Sequence, residues 1–188
     1  MTLTATSDQA TSAPSLRRLY IVRFAFAAVW AALLLVLGPD LKAGTKTLLV
    51  LYPAFDVAAA VVDAKSSRAA RSIKGLYANM AISAAAAVGL AAAGTAGIAD
   101  VLRVWGAWAI ASGLVQLVVA LLRRSMGGQW AMILSGGLSV LAGASFLADA
   151  AKTDPSLKVL GGYAALGGIF FLVSALRLSR AAKTAVAE

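Results

Sequence analysis

Few polar residues in this chain are placed to do chemistry, and five of them fall inside long apolar runs: Arg23, Asp56, Asp63, Asn79 and Gln116. There is no His and no Cys. That removes thiol chemistry, disulfides, zinc sites of the usual kind and every imidazole-based acid–base mechanism. Asp56 stands three residues after Pro53, near the middle of its run, where the proline withholds the N–H that would bond the Leu49 carbonyl. A central aspartate costs about 2.5–3.5 kcal/mol on the insertion scale, so its presence needs a reason. Asp56 and Asp63 are seven apart and share a helix face, and Arg23, six residues beyond Arg17, lies at roughly the depth of Asp63. Two readings are open. One is a proton or ion site; the other is an internal ion pair with hydrogen bonds that hold helices together. The sequence holds no phosphate loop, no nucleophile–base pair and no metal cluster, so neither an enzyme nor a cofactor is expected.

The elements that must position these residues follow from composition. With 61% hydrophobic and 13% charged residues, the chain has too little polar surface to coat a soluble globule. A net charge of +9 would suit nucleic acid, but the positive residues sit at the ends of apolar runs rather than among exposed aromatics, so no nucleic-acid partner is expected. Leu102 to Arg124 shows the pattern: Arg103, Trp105 and Trp108 near one end, 19 uncharged residues, then Arg123-Arg124. Such a length spans a bilayer. Further spans are expected at about 19–38, 47–64, 75–93, 130–148 and 160–176. Residues 1–15 are expected to be a flexible tail, residues 16–180 a membrane domain, and 181–188 a short second tail.

The 102–124 span recurs. Shifted by 55 it falls on Leu157 to Ser179 with nine of 23 positions identical, Gly106/Gly161, Ala109/Ala164 and Gly113/Gly168 among them. Shifted back by 56 it aligns Trp108 with Tyr52 and Val118 with Val62, a degenerate copy. The expected fold is therefore all-α, six transmembrane helices arranged as three parallel two-helix hairpin repeats, at about 17–71, 72–124 and 127–180. Parallel repeats differ from the inverted repeats of many transporters.

Six spans place both termini on one side of the membrane. That side holds 12 of the 17 basic residues, from Arg17 and Arg18 through Lys65, Arg68, Arg71 and Lys74 to Arg123, Arg124, Arg177, Arg180 and Lys183, with Arg23 counted among them. The positive-inside rule assigns it to the cytoplasm, where it is expected to attract anionic lipid. Ser135, Ser139 and Gly143 read as a small-residue ridge on the fifth helix, and Ala164 with Gly168 as another on the sixth, so Gly113 and Gly168 are expected to be packing positions. Trp105, Trp108, Trp130, Tyr20 and Tyr77 read as an aromatic belt near the helix ends.

The patterns WAIASGLVQLVVALLRR (108–124), QWAMILSGGLSVLAG (129–143) and YAALGGIFFLVSALRLSR (163–180) resemble the HdeD family of small bacterial membrane proteins. The likeness covers about residues 100–180; earlier, Tyr52-Pro53-Ala54-Phe55-Asp56 keeps an outline of the motif. It implies six helices in the inner membrane and an association with acid or other stress resistance, with no catalytic residues to carry over. The expected function is a non-enzymatic integral membrane protein that supports the envelope under stress by packing with lipid or partner proteins. The alternative is a small transporter or channel with Asp56 at its midplane. A protein partner or a homo-oligomer stays open.

Overall fold

The computed structural model describes residues 3–37, 40–66, 73–122, 124–126 and 129–187, with side chains described from Arg17 to Arg180 in these segments apart from residues 66, 73 and 126. Among the described residues six α-helices carry the fold: α1 (Leu3–Leu37), α2 (Ala43–Ser66), α3 (Ile73–Ala96), α4 (Ile98–Leu122), α5 (Trp130–Ala150) and α6 (Lys158–Ala187), with a short 3-10 turn at Arg124–Met126. Each contains a stretch of 21 to 25 residues long and apolar enough to cross a membrane. The chain is an all-α, multi-pass membrane protein. Lipid offers no partner to a backbone amide, so a spanning segment must bond its own backbone, as a helix does. α1 continues N-terminally of its span through residues 3–15, and α6 runs on to Ala187.

Short joints force sequential helices to lie antiparallel. The tightest is a single residue. Gly97, at φ 146°, separates α3 from α4, and its N–H bonds the Ala93 carbonyl at 3.1 Å while its own carbonyl accepts from Val101. Nothing would crowd a side chain there; the backbone conformation alone demands glycine. The α5–α6 connection is fastened by Asp149, whose carboxylate accepts from Lys152 Nζ at 2.5 Å and from the Ser156 N–H at 3.2 Å.

The helices form a closed ring in chain order. α1 meets α2 through Trp30, whose Nε1 donates to the Leu48 carbonyl at 2.6 Å. α2 lies along α3, α3 along α4, and α4 against α5; α6 then packs along α1. α5 and α6 touch least and are bridged by Tyr163, which reaches Ser139 and the Phe146 ring. All six helices contribute to one buried core that includes Trp30, Leu49, Leu90, Trp105, Phe146 and Leu160. These residues sit in the half of the bundle that carries the α1–α2, α3–α4 and α5–α6 joints.

The α4–α5 contact is made by glycine on glycine. A Cβ at Gly106 would lie 2.8 Å from the Gly143 carbonyl oxygen, and one at Gly113 would lie 2.7 Å from that of Gly136. A seven-residue step up α4 matches a seven-residue step down α5, as antiparallel helices require. The ridge on α5 is thus Gly136, Ser139 and Gly143. Ser135, expected in that ridge, is half-buried beside it, and Gly136 is the position that meets Gly113 of α4. On α6, Ala164 is fully buried and Gly168 meets Ala27 of α1, with 3.3 Å between its ideal Cβ and that of the alanine.

Candidate functional site

The site is built from the residues around Pro53. α2 stays helical through this buried proline, and one turn on it presents Asp56 to the bundle. α3 answers with two residues four apart, so both are on one face. Asn79 Nδ2 donates to Asp56 Oδ2 at 2.9 Å and Ser83 Oγ donates to the same oxygen at 2.8 Å. α1 supplies Arg23, whose guanidinium nitrogen lies 3.3 Å from Asp56 Oδ1. Both carboxylate oxygens are therefore engaged. α4 adds Trp108, whose Nε1 donates to Ser83 Oγ at 3.1 Å. α6 adds Phe171, with the Arg23 guanidinium 5.1 Å from its ring centroid, within cation–π range.

The result is a chain of polar contacts across four helices, from Trp108 through Ser83 and Asp56 to Arg23. Ser83 is fully buried, and the Arg23 and Asp56 side chains are only 16% and 23% exposed. Such a chain is strengthened by the low dielectric around it and penalised heavily if one member is lost. Beside it is a recess lined by Arg23, Phe26, Tyr52, Phe55, Asp56 and Phe171, with a water-accessible volume of about 20 Å³.

Comparison with family models, with curated proteins and with solved structures finds no match for this chain.

Of the five polar residues expected to cluster, the structure brings three together: Arg23, Asp56 and Asn79. Arg23 pairs with Asp56, one heptad deeper along α2 than the depth match with Asp63 suggests. Asp63 is itself buried, on the same helix face. Gln116 is half-buried on α4 and lies outside the group bonded to Asp56. Sequence reasoning missed Ser83 and the inward role of Trp108. The four-residue step from Asn79 to Ser83 was the available signal for the first.

The belt reading of the aromatics is corrected in part. Trp130 and Tyr77 are exposed, as a belt residue would be. Trp105 and Trp108 are instead buried, in a cluster with Trp30 and Tyr52 whose neighbouring ring centroids lie 4.8 to 6.0 Å apart. A tryptophan near the end of a span packs inward when neighbouring helices offer ring faces and a hydrogen-bond acceptor, here Ser83 for Trp108. Tyr20 is half-buried, with its ring 6.0 Å from that of Phe171.

Proposed function

We propose that this chain is a non-enzymatic protein of the bacterial inner membrane, similar to the HdeD family, that supports the envelope under acid or other stress. In this reading both termini are cytoplasmic and the bundle is three copies of one hairpin. The observation that carries it is the engagement of Asp56. Both oxygens of the midplane carboxylate are taken up by Arg23, Asn79 and Ser83, so the group works as a tie between α1, α2 and α3. The repeat is supported by α4 and α6, which use positions 55 apart, Gly106 and Gly161, Gly113 and Gly168, toward their next neighbours α5 and α1.

Transport is tested directly. Liposomes carrying the wild-type protein are expected to hold an imposed pH gradient as well as protein-free liposomes do, while a strain lacking the protein survives acid stress poorly and is rescued by Asp56→Asn. A proton flux in wild type that Asp56→Asn abolishes would establish the transporter instead. The observation favouring that second reading is the recess beside Asp56, which is small but polar on one wall.

Orientation rests on charge. Among the described side chains, Arg17, Arg18, Lys65, Lys74, Arg124, Arg177 and Arg180 are exposed at the end of the bundle that carries the termini. Arg68, Arg71, Arg123 and Lys183 lie outside the described side chains. Single cysteines at Ser7, Ser66, Ser125 and Thr184 should label only after permeabilisation, and those at the exposed Lys42 and Thr153 from outside; Thr45, near Lys42 in the chain, is fully buried and would not report. Labelling at Ser66 in intact cells would reverse the assignment.

The same basic face is proposed to hold anionic lipid, at about 1 kcal/mol per surface Lys or Arg. Neutralising Lys65, Arg68, Arg71 and Lys74 together should reduce the anionic lipid that co-purifies. Unchanged lipid content and topology would rule this role out.

A further inference from the structure

Two of the three hairpins close with the same kind of bond. In the second, Ser83 of α3 accepts from Trp108 of α4; in the third, Ser139 of α5 shares a hydrogen bond of 2.9 Å with the Tyr163 hydroxyl of α6. Ser83 and Ser139 are 56 apart, and the same step back from Ser83 reaches Ala27. Packing agrees with that correspondence: Gly113 lies against Ser139 as Gly168, 55 residues on, lies against Ala27. Tyr52 holds the position of Trp108 and Tyr163 in the first hairpin, but alanine carries no hydroxyl to answer it. The Tyr52 hydroxyl makes no hydrogen bond among the described residues.

The recess described above is lined by that same Tyr52, together with Arg23 and Asp56. Arg23 Nε is buried and has no hydrogen-bond partner among the described residues. Side chains that carry a phenol, a guanidinium with an unused N–H and a carboxylate therefore line one recess. Its volume of about 20 Å³ exceeds the roughly 10–15 Å³ that one water needs, and its three polar side chains can offer the two to four partners a buried water requires. A metal cation would be repelled by Arg23 and an anion by Asp56; a neutral molecule that both accepts and donates suits all three groups. We infer that the recess is a built site for a single water molecule, which accepts from Arg23 Nε, donates to Asp56 and bonds the Tyr52 hydroxyl. It stands in for the serine hydroxyl that the first hairpin lacks, and it keeps the Arg23–Asp56 pair hydrated within the membrane.

The test is water-selective magnetisation transfer to the arginine Nε–H groups of the full chain, labelled with nitrogen-15 and held in nanodiscs. Arg23→Lys assigns the Arg23 signal. Wild type is expected to give a cross-peak of the sign that marks a long-lived bound water, and Tyr52→Phe should lose it. Ala27→Ser, a change of one oxygen, should lose it too, because the new hydroxyl takes up Tyr52; it decides the matter if Tyr52→Phe does not fold. A wild-type Arg23 signal with no bound-water cross-peak, or one undiminished in the variants that fold, overturns the site and shows the recess to be dry or merely solvated.

Discussion

A Gly113→Leu protein is expected not to survive solubilisation in a folded state, because the crowding it creates is against backbone. A Cβ at Gly113 stands 2.7 Å from the Gly136 carbonyl oxygen and 3.0 Å from Ser139 Cβ. Neither can swing aside, since one is helix backbone and the other the first carbon of its side chain. Ordinary overpacking costs about 1–3 kcal/mol. Parting α4 from α5 also breaks the Gly106–Gly143 contact on the same line, so the loss should exceed that range. Gly168 is the control. Its Cβ would meet Ala27 Cβ at 3.3 Å and the nearest Phe24 ring carbon at 3.6 Å, a contact that a small shift relieves. Gly168→Ala should melt close to wild type, since the gain of about 1 kcal/mol in helix propensity offsets the contact. Gly113→Ala should already melt clearly lower. Thermal unfolding in detergent compares them, and a Gly113→Ala protein as stable as wild type would mean that the two helices do not meet at this distance.

Asp56 gives the second large effect. Asp56→Ala removes the acceptor for Asn79 and Ser83 and leaves Arg23 mostly buried without its counter-charge. Breaking a fully buried pair costs about 3–5 kcal/mol; the partial exposure of both side chains, 16% and 23%, moves the expected loss toward the lower end. Asp56→Asn keeps an oxygen for Asn79 and Ser83 and should lose less, with the remaining deficit arising from Arg23. Pairing it with Arg23→Met should then restore part of the loss, because the second change removes the stranded charge. Residues in contact show such non-additivity at about 0.5–3 kcal/mol. Denaturation of both single variants and the double variant measures it, and strict additivity would show that Arg23 and Asp56 are not coupled.

What the sequence determined by itself is the class and the outline of the chain. Apolar runs of membrane length, each ended by charge or by glycine and proline, dictate six helices, because lipid leaves the backbone no other way to satisfy its own groups. The cost of a carboxylate in the middle of a run marked Asp56, and the polar residues within reach of it included two of its partners, Arg23 and Asn79. The direction each helix faces was decided only by tertiary structure. In a soluble protein a polar face and an apolar face tell inside from outside. Here lipid and core are equally apolar, so that Leu114 and Leu102, on the same helix, look alike in sequence although one is 48% exposed and the other fully buried. For the same reason Trp105 and Trp108 read as belt residues until α1, α2 and α3 were seen to surround them, and Gly136 could not be told from its neighbours Ser135 and Gly137. Close packing and hydrogen bonds between helices, rather than burial of apolar surface, choose the faces in a membrane, and those interactions exist only once the partner helix is in place.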